Sequence, residues 1–278
     1  MTTFPMGPAL LFCPGDRPDR LAKAAERADA VILDLEDAVA PRDKDAARKN
    51  LREAELDPAR TIVRVNPLGT GDFGLDVAAL QETPYRTVML AKAEEPAAIE
   101  QALAGYSVVA LLETALGVVR AAEIAAAPNV AALMWGAEDL LASLGGESSR
   151  RDDGSYRSVA VQARSTVLLA AGAFGKGAID SIYGNIPDIA GLEQEARDAV
   201  ASGFAAKACI HPGQVAAVRA AYAPSEEEKA YARELLEAAR DQGGVFSFRG
   251  EMIDGPLLKQ AEQTLRRAQV RSSRQLGS

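Results

Sequence analysis

A chain of 278 residues, 48% hydrophobic and 25% charged, is long enough to bury a full core, either as two small domains or as one large α/β barrel. Its formal net charge of −8 excludes a general nucleic-acid binder, which needs a clustered excess of Lys and Arg for phosphate contacts. The apolar runs are well short of a membrane span, no basic leader opens the chain, and Cys13 and Cys209 sit in apolar runs without metal-ligand spacing. These features predict a cytoplasmic protein with reduced thiols whose partners are small molecules or other proteins.

Eight short apolar runs, each followed by a helix-like segment, lie at Ala9 to Cys13, Ala30 to Leu35, Thr61 to Val65, Thr87 to Leu90, Ser107 to Leu112, Val130 to Trp135, Gly177 to Ile182 and Lys207 to Ile210. Such alternation specifies a parallel sheet, and continuous runs such as Val108 to Leu112 suit strands covered on both faces. Eight repeats in roughly 215 residues are what a closed (β/α)8 TIM barrel requires, with an open doubly wound sheet as the fallback. The clearest helices are Arg20 to Ala28, Lys44 to Glu53 and Ala115 to Ala126. The stretch from Gly145 to Gly154, crowded with Gly, Ser and charge, reads as a mobile loop after strand six. A barrel over residues 1–223 leaves 224–278 as a C-terminal helical extension. That extension holds a helix from Ser225, its N-cap, to Arg240, a glycine-bounded segment from Gly243 to Pro256, and a final helix to about Arg267, fraying from Arg271.

The strand ends carry Pro14-Gly15-Asp16-Arg17, Asp34-Leu35-Glu36-Asp37, Arg64, Lys92, Glu113, Glu138-Asp139, Asp180 and His211. In a barrel these converge on one mouth. Glu113 and Asp139 suit the ligand set of Mg²⁺, which takes one or two carboxylates and keeps waters; they equally suit ion pairs with Arg64 and Lys92. Arg64 is the natural carboxylate clamp, and it could also neutralise Glu36 or Asp37. Lys92 admits a Schiff-base mechanism. His211, the sole histidine, is assigned a supporting position, and Arg17, Arg20 and Lys23 form a local basic patch. Gly69-Thr70-Gly71-Asp72-Phe73-Gly74 matches a dinucleotide fingerprint but does not directly follow a strand, because Pro67-Leu68 intervene; it reads as a glycine turn before a short helix.

In order along the chain, Leu11-Phe12-Cys13-Pro14-Gly15-Asp16-Arg17, Leu33-Asp34-Leu35-Glu36-Asp37-Ala38-Val39, Val63-Arg64-Val65-Asn66, Glu113-Thr114-Ala115-Leu116-Gly117, Trp135-Gly136-Ala137-Glu138-Asp139-Leu140 and Cys209-Ile210-His211-Pro212 resemble the motifs of one group. It is the citrate lyase β-subunit-like (CitE-like) family of the HpcH/HpaI aldolase superfamily, whose usual Pro-Lys is Ala91-Lys92 here. The resemblance implies a (β/α)8 barrel binding Mg²⁺ through Glu113 and Asp139, with Arg64 on the carboxylate of a 2-oxo acid. Backbone amides near Gly136 and Ala137 would help hold that acid, with Glu36 and Asp37 on the substrate side. Arg17 and Lys23 would face coenzyme A phosphates.

The tail Gly250-Glu251-Met252-Ile253-Asp254-Gly255-Pro256-Leu257-Leu258 resembles the C-terminal motif of the malyl- and citramalyl-coenzyme A lyases. There the matching acid, Asp254 in this chain, transfers the proton at the acetyl carbon in the site of an adjacent subunit of a homo-oligomer, commonly a trimer. Phe246 and Phe248 would give it apolar cover; a helix N-cap before Pro256 is its plain structural role. The implied reaction is reversible cleavage of a 3-hydroxyacyl-coenzyme A thioester, such as citramalyl- or malyl-coenzyme A, into acetyl-coenzyme A and a 2-oxo acid. The alternatives are a citrate lyase β subunit acting on citryl-acyl carrier protein within a complex, or a Lys92 Schiff-base aldolase.

Overall fold

The computed structural model describes residues 4–240, 242 and 244–275, with side chains to Gln269. The chain divides into two compact units, residues 1–218 and 219–278.

In the first unit, strands and helices alternate: β1 (Ala9–Pro14), α1 (Pro18–Arg27), β2 (Ala30–Asp34), α2 (Lys44–Glu53), β3 (Thr61–Val65), α3 (Gly71–Gln81), β4 (Thr87–Leu90), α4 (Pro96–Ala102) and β5 (Ser107–Leu112). They continue through α5 (Ala115–Val119), α6 (Ala121–Ala126), β6 (Val130–Trp135), α7 (Ala137–Ser143), α8 (Ser158–Ala173), β7 (Gly177–Asp180), α9 (Ile189–Ser202) and β8 (Ala206–Cys209). Each strand pairs in parallel with the next and β8 closes on β1, so the sheet is the closed (β/α)8 barrel that the alternation predicts.

Successive side chains of a strand point to opposite faces. Leu10, Ile32, Ile62, Met89, Val109 and Met134, with residues of β7 and β8, pack into one buried cluster inside the barrel. The same parity carries Asp34 and Arg64 to the mouth end of that interior, and the strand register sets them side by side. Asp180 and Lys207 have the opposite parity, one residue on from Ile179 and Ala206, and face the helical layer. Local signals set the helix limits. Pro18 opens α1, which buries Leu21 and Ala24, while Asp188 accepts the Gly191 N–H at 2.9 Å to start α9 and the left-handed Gly203 ends it.

Two expectations change here. The helix expected over Ala115 to Ala126 is two helices meeting at Arg120, whose guanidinium pairs with Glu95. The loop from Gly145 to Gly154, expected to be mobile, is pinned. Arg150 donates to Glu195 at 2.7 Å and to the Tyr156 hydroxyl at 2.6 Å, and the buried Ser149 donates to Glu138 at 2.7 Å. Residues that read as solvating charge act as clamps.

The helix α10 (Val215–Tyr222) spans the division between the units. In the second unit, α11 (Glu226–Ala239) starts from a capping box in which Ser225 and Glu228 satisfy each other's backbone N–H. β9 (Phe246–Phe248) and β10 (Glu251–Ile253) form a hairpin whose two turn residues, Arg249 and Gly250, both have positive φ, at 54° and 86°. A two-residue turn of the primed type requires that backbone. α12 (Gly255–Gln275) runs past the end expected near Arg267 and through the first part of the stretch expected to fray. The rest of that stretch, 276–278, lies outside the described residues, as does Gly243. Ala232, Leu235, Ile253 and Ala261 form the unit's core, with Phe246 and Phe248 packed on it. The two rings expected to cover Asp254 are thus employed in holding the hairpin to α11 and α12. No helix among the described residues is long and apolar enough to cross a membrane.

Candidate active site

Five consecutive strand ends bring ionisable groups to the mouth: Asp34, Glu36 and Asp37 at β2, Arg64 on β3, Lys92 after β4, Glu113 after β5, and Asp139 in the first turn of α7 after β6. Arg64 is buried. Its Nε and Nη2 form a fork on Asp34 at 2.7 and 2.5 Å, Nη1 lies 3.1 Å from Glu36, and the Phe12 ring lies 4.8 Å from the guanidinium carbon. A guanidinium has five N–H donors, so this fork fixes its plane and still leaves donors on Nη1 and Nη2. The expected neutralising partners were Glu36 or Asp37. The structure makes Asp34 the principal one, keeps Glu36 as the second, and gives Asp37 to Lys92.

The Lys92 ammonium stands among four carboxylates: Glu36 at 2.6 Å, Asp37 at 3.2 Å, Asp139 at 3.5 Å and Glu113 at 3.9 Å. Its backbone is left-handed, φ 49°, a conformation costing a long side chain of order 1–3 kcal/mol, and this turns its own N–H onto Glu113 Oε1 at 3.1 Å. Burial disfavours the charge on Lys92, but the surrounding carboxylates outweigh it and hold its pKa well above the ordinary lysine value. A Schiff-base lysine must present a neutral amine, so these surroundings work against that role.

With Asp34, Glu36, Asp37, Glu113 and Asp139 ionised against Arg64 and Lys92, the mouth carries a formal excess of three negative charges. The strain of that excess falls on Glu113. Burial, with the Asp139 charge adding to it, pushes its carboxyl from 4.5 up to about 8. Burial raises Glu36 too, against the pull of Arg64; at Asp37 burial is overcome by the Lys92 ammonium and the pKa is lowered.

Among the described residues, no three or more His, Cys, Asp or Glu side chains are grouped to hold a metal ion. The donor set is instead a carboxylate pair in a negative site. It fits a hard cation that takes one or two carboxylates and completes its shell with water and substrate oxygens, and it does not fit a zinc cage.

Gly136 contributes differently from expectation. Its amide is already used, donating to the Leu112 carbonyl at 3.2 Å, and the Ala137 amide makes a long bond of 3.4 Å to the Ser181 hydroxyl. What Gly136 supplies is space: a Cβ there would stand 2.7 Å from Glu113 Cβ and 2.9 Å from Oε2.

Asp180, expected at the mouth, lies behind the wall. It accepts from Lys207 Nζ at 2.9 Å, Trp135 Nε1 at 2.8 Å and Arg164 Nε at 3.0 Å, and Lys207, wholly buried, also donates to the Ser181 carbonyl at 2.7 Å and to Glu195 at 2.8 Å. Lys207 was not singled out in the sequence. The available signal was a lysine of outward parity inside an apolar strand. His211 is exposed and caps a short turn, its Nδ1 accepting the Gly213 N–H at 3.1 Å. Arg17, 3.9 Å from Asp19, and Lys23 on α1 are exposed. Nothing lies within 4 Å of a Cβ added at Gly69, Gly71 or Gly74, in keeping with a plain turn. In the second unit, the Asp254 carbonyl accepts the Leu258 N–H at 3.2 Å, while its half-buried carboxylate has no hydrogen-bond partner among the described residues, so the cap is made by backbone and the acid is left over.

A closed (β/α)8 barrel with a buried arginine and paired carboxylates at the C-terminal rim of its strands is an enzyme architecture, and the comparisons give its class as aldolase or lyase. Residues 9–212 match the HpcH/HpaI aldolase/citrate lyase family, and the chain belongs to that family. A Mycobacterium tuberculosis "citrate lyase subunit beta-like protein" is 57% identical over 262 residues, covering 94% of this chain and 96% of the relative. Human mitochondrial citramalyl-CoA lyase is 33% identical over 291 residues, covering 92% and 84%. The crystal structure of M. tuberculosis CitE in complex with magnesium, acetoacetate and coenzyme A superposes with a TM-score of 0.90 at 57% identity, covering 95% of this chain and 98% of that one.

Proposed function

We propose that the protein is a Mg²⁺-dependent carbon–carbon lyase that reversibly cleaves a 3-hydroxyacyl-coenzyme A thioester, of the citramalyl- or malyl-coenzyme A kind, into acetyl-coenzyme A and a 2-oxo acid. The observation that carries this reading is the Glu113–Asp139 pair beside the fork-held Arg64, in a mouth with excess negative charge. The magnesium, acetoacetate and coenzyme A bound by the M. tuberculosis relative support it. Mg²⁺ held by Glu113 and Asp139 would supply Lewis-acid polarisation of the substrate oxygen that becomes the ketone.

Arg64, its plane fixed by Asp34, directs its remaining N–H donors to the carboxylate of the 2-oxo acid portion. Glu36 and Asp37 shape the same wall and position Lys92. As the carbon–carbon bond breaks, its electron pair passes to the acetyl carbon and the hydroxyl, giving its proton to solvent water, becomes the carbonyl. Asp254, contributed by an adjacent subunit of a trimer, gives the acetyl carbon its proton. An acid whose carboxylate has no hydrogen-bond partner among the described residues suits that task. Arg17 and Lys23 are assigned to the coenzyme A phosphates, and the buried thiols of Cys13 and Cys209 fit a cytoplasmic setting.

The test is a panel of acyl-coenzyme A thioesters assayed with the purified chain and Mg²⁺ alone. Release of acetyl-coenzyme A and a 2-oxo acid by the wild type, lost in Asp139→Ala and Asp254→Ala variants that remain folded, is expected. Full activity in either variant sinks the mechanism. Inactivity on every free thioester with turnover of an acyl-carrier-protein substrate points instead to a subunit of a multi-chain lyase.

A further inference from the structure

Lys92 is a mouth residue to which the proposed chemistry gives no role, and it is held there at a cost. A lysine in left-handed backbone is disfavoured, yet here its amide donates to Glu113 while its ammonium stands among Glu36, Asp37, Asp139 and Glu113. The ammonium is within 4 Å of both members of the pair, Asp139 at 3.5 Å and Glu113 at 3.9 Å, while its two shorter contacts are Glu36 at 2.6 Å and Asp37 at 3.2 Å. Two of its neighbours are therefore strong partners and two are loose ones, and the loose ones are the proposed metal ligands.

We propose that Lys92 is a built-in counter-ion of the metal-free site: its ammonium neutralises the Glu113–Asp139 pair until a divalent cation arrives, then is given up to Glu36 and Asp37, so that Lys92 sets how tightly Mg²⁺ is held. This rests on the reading of Glu113 and Asp139 as metal ligands. The charges argue for it directly. Among the described residues Lys92 is the cation within 4 Å of Asp37, Glu113 and Asp139, and without it these three carboxyl groups, Glu113 buried among them, would have no such neighbour. With Lys92 in place, a cation taken up by Glu113 and Asp139 must displace or repel a positive charge that lies within 4 Å of both of them, which opposes binding. The lysine thus trades metal affinity for the integrity of the empty site, and a cation bound with moderate rather than high affinity remains exchangeable.

The test is Mg²⁺ binding by isothermal titration calorimetry, with thermal unfolding in chelator and in excess Mg²⁺, on wild type, Lys92→Met and Lys92→Arg. Lys92→Met removes the charge at nearly constant length. It is expected to bind Mg²⁺ about tenfold or more tightly than wild type, to melt several degrees lower in chelator, and to recover most of that loss with Mg²⁺. Lys92→Arg keeps the charge and should bind within about threefold of wild type. Equal or weaker Mg²⁺ binding by Lys92→Met overturns the inference while leaving the metal assignment intact. Absence of Mg²⁺ binding by the wild type and both variants overturns the metal assignment as well. If Lys92→Met does not fold without metal, crystal structures of the wild type with and without Mg²⁺ decide: the ammonium should leave Glu113 and Asp139 and keep Glu36 and Asp37. An ammonium at its metal-free distances beside a metal bound by both carboxylates refutes the idea.

Discussion

Replacing Gly136 by Ala perturbs one contact and little else. The Gly136 backbone, at φ −120° and ψ 118°, is extended and suits alanine, so no strain arises from the residue itself. The added methyl, however, would stand 2.7 Å from Glu113 Cβ, where carbon–carbon contact requires 3.5 to 4.0 Å, an overlap of about 1 Å. Rotating the Glu113 side chain cannot relieve it, because the clashing atom is the Cβ, and the two backbones are tied by the bond from the Gly136 amide to the Leu112 carbonyl. The strand ends must part, and Glu113 moves with them. Overpacking of this kind costs about 1 to 3 kcal/mol, and a displaced ligand weakens metal binding by about 10- to 100-fold. Calorimetric unfolding in chelator and Mg²⁺ titration read the two effects separately. Gly74→Ala is the control: nothing lies within 4 Å of its added Cβ, and alanine inside α3 should gain about 0.5 to 1 kcal/mol. A Gly136→Ala protein with the stability and Mg²⁺ affinity of the wild type refutes the claim that this glycine exists to admit Glu113.

Three further outcomes follow from the charges. The Glu113 carboxyl titrates at about 8 in the folded chain against an ordinary 4.5, so the native state holds a proton that the unfolded chain releases earlier, and metal-free stability must fall as the pH rises from 4.5 to 8, by about 5 kcal/mol at most. Urea unfolding in chelator should show that fall, and Glu113→Gln should flatten it; an unchanged slope removes Glu113 as its source. Asp180→Asn breaks a fully buried pair with Lys207 and should cost about 3 to 5 kcal/mol in denaturant unfolding, and a loss under 1 kcal/mol would mean the cluster is not the staple its geometry suggests. Borohydride reduction in the presence of a 2-oxo acid should leave the mass of the chain unchanged, since Lys92 is held as an ammonium; an adduct at Lys92 would restore the Schiff-base mechanism.

The barrel was legible because each strand is an apolar run bounded by a polar end, and five of the eight strand ends delivered their ionisable groups to the mouth as expected. Asp180 was misplaced for a definite reason. Both Asp34 and Asp180 end a strand, but Asp34 lies two residues beyond Ile32, which faces the interior, whereas Asp180 lies one beyond Ile179. Both acids are fully buried, and parity decides which one faces Arg64 inside the barrel and which faces Lys207 in the helical layer; an end-of-strand position does not reveal it. The partners of Arg64 needed the register of β2 against β3, a non-local fact. The amides near Gly136 and Ala137 are what the resemblance implies; the use of Gly136 as empty space depends on Glu113 across the strand gap, which a sequence does not display. The loop after strand six was read as mobile because clamps and solvated charges share one composition, and only the position of Glu195 tells them apart.

That clamp also bears on the order in which the molecule is built. Arg150 and its partner Glu195 are separated by 45 residues, and Glu195 is itself held by Lys207 on β8, the strand that seals the ring against β1. The anchor at Glu195 is therefore completed by the last strand, a contact of high sequence separation and late reward, while the Ser149–Glu138 clamp is local. A chain still emerging, or cut before β8, would carry most of the mouth residues in an unsecured frame. Native-state hydrogen exchange should find the amides of Arg151 and Arg157 opening together with those of β8, and independent exchange of the two would show that the loop keeps its shape without ring closure.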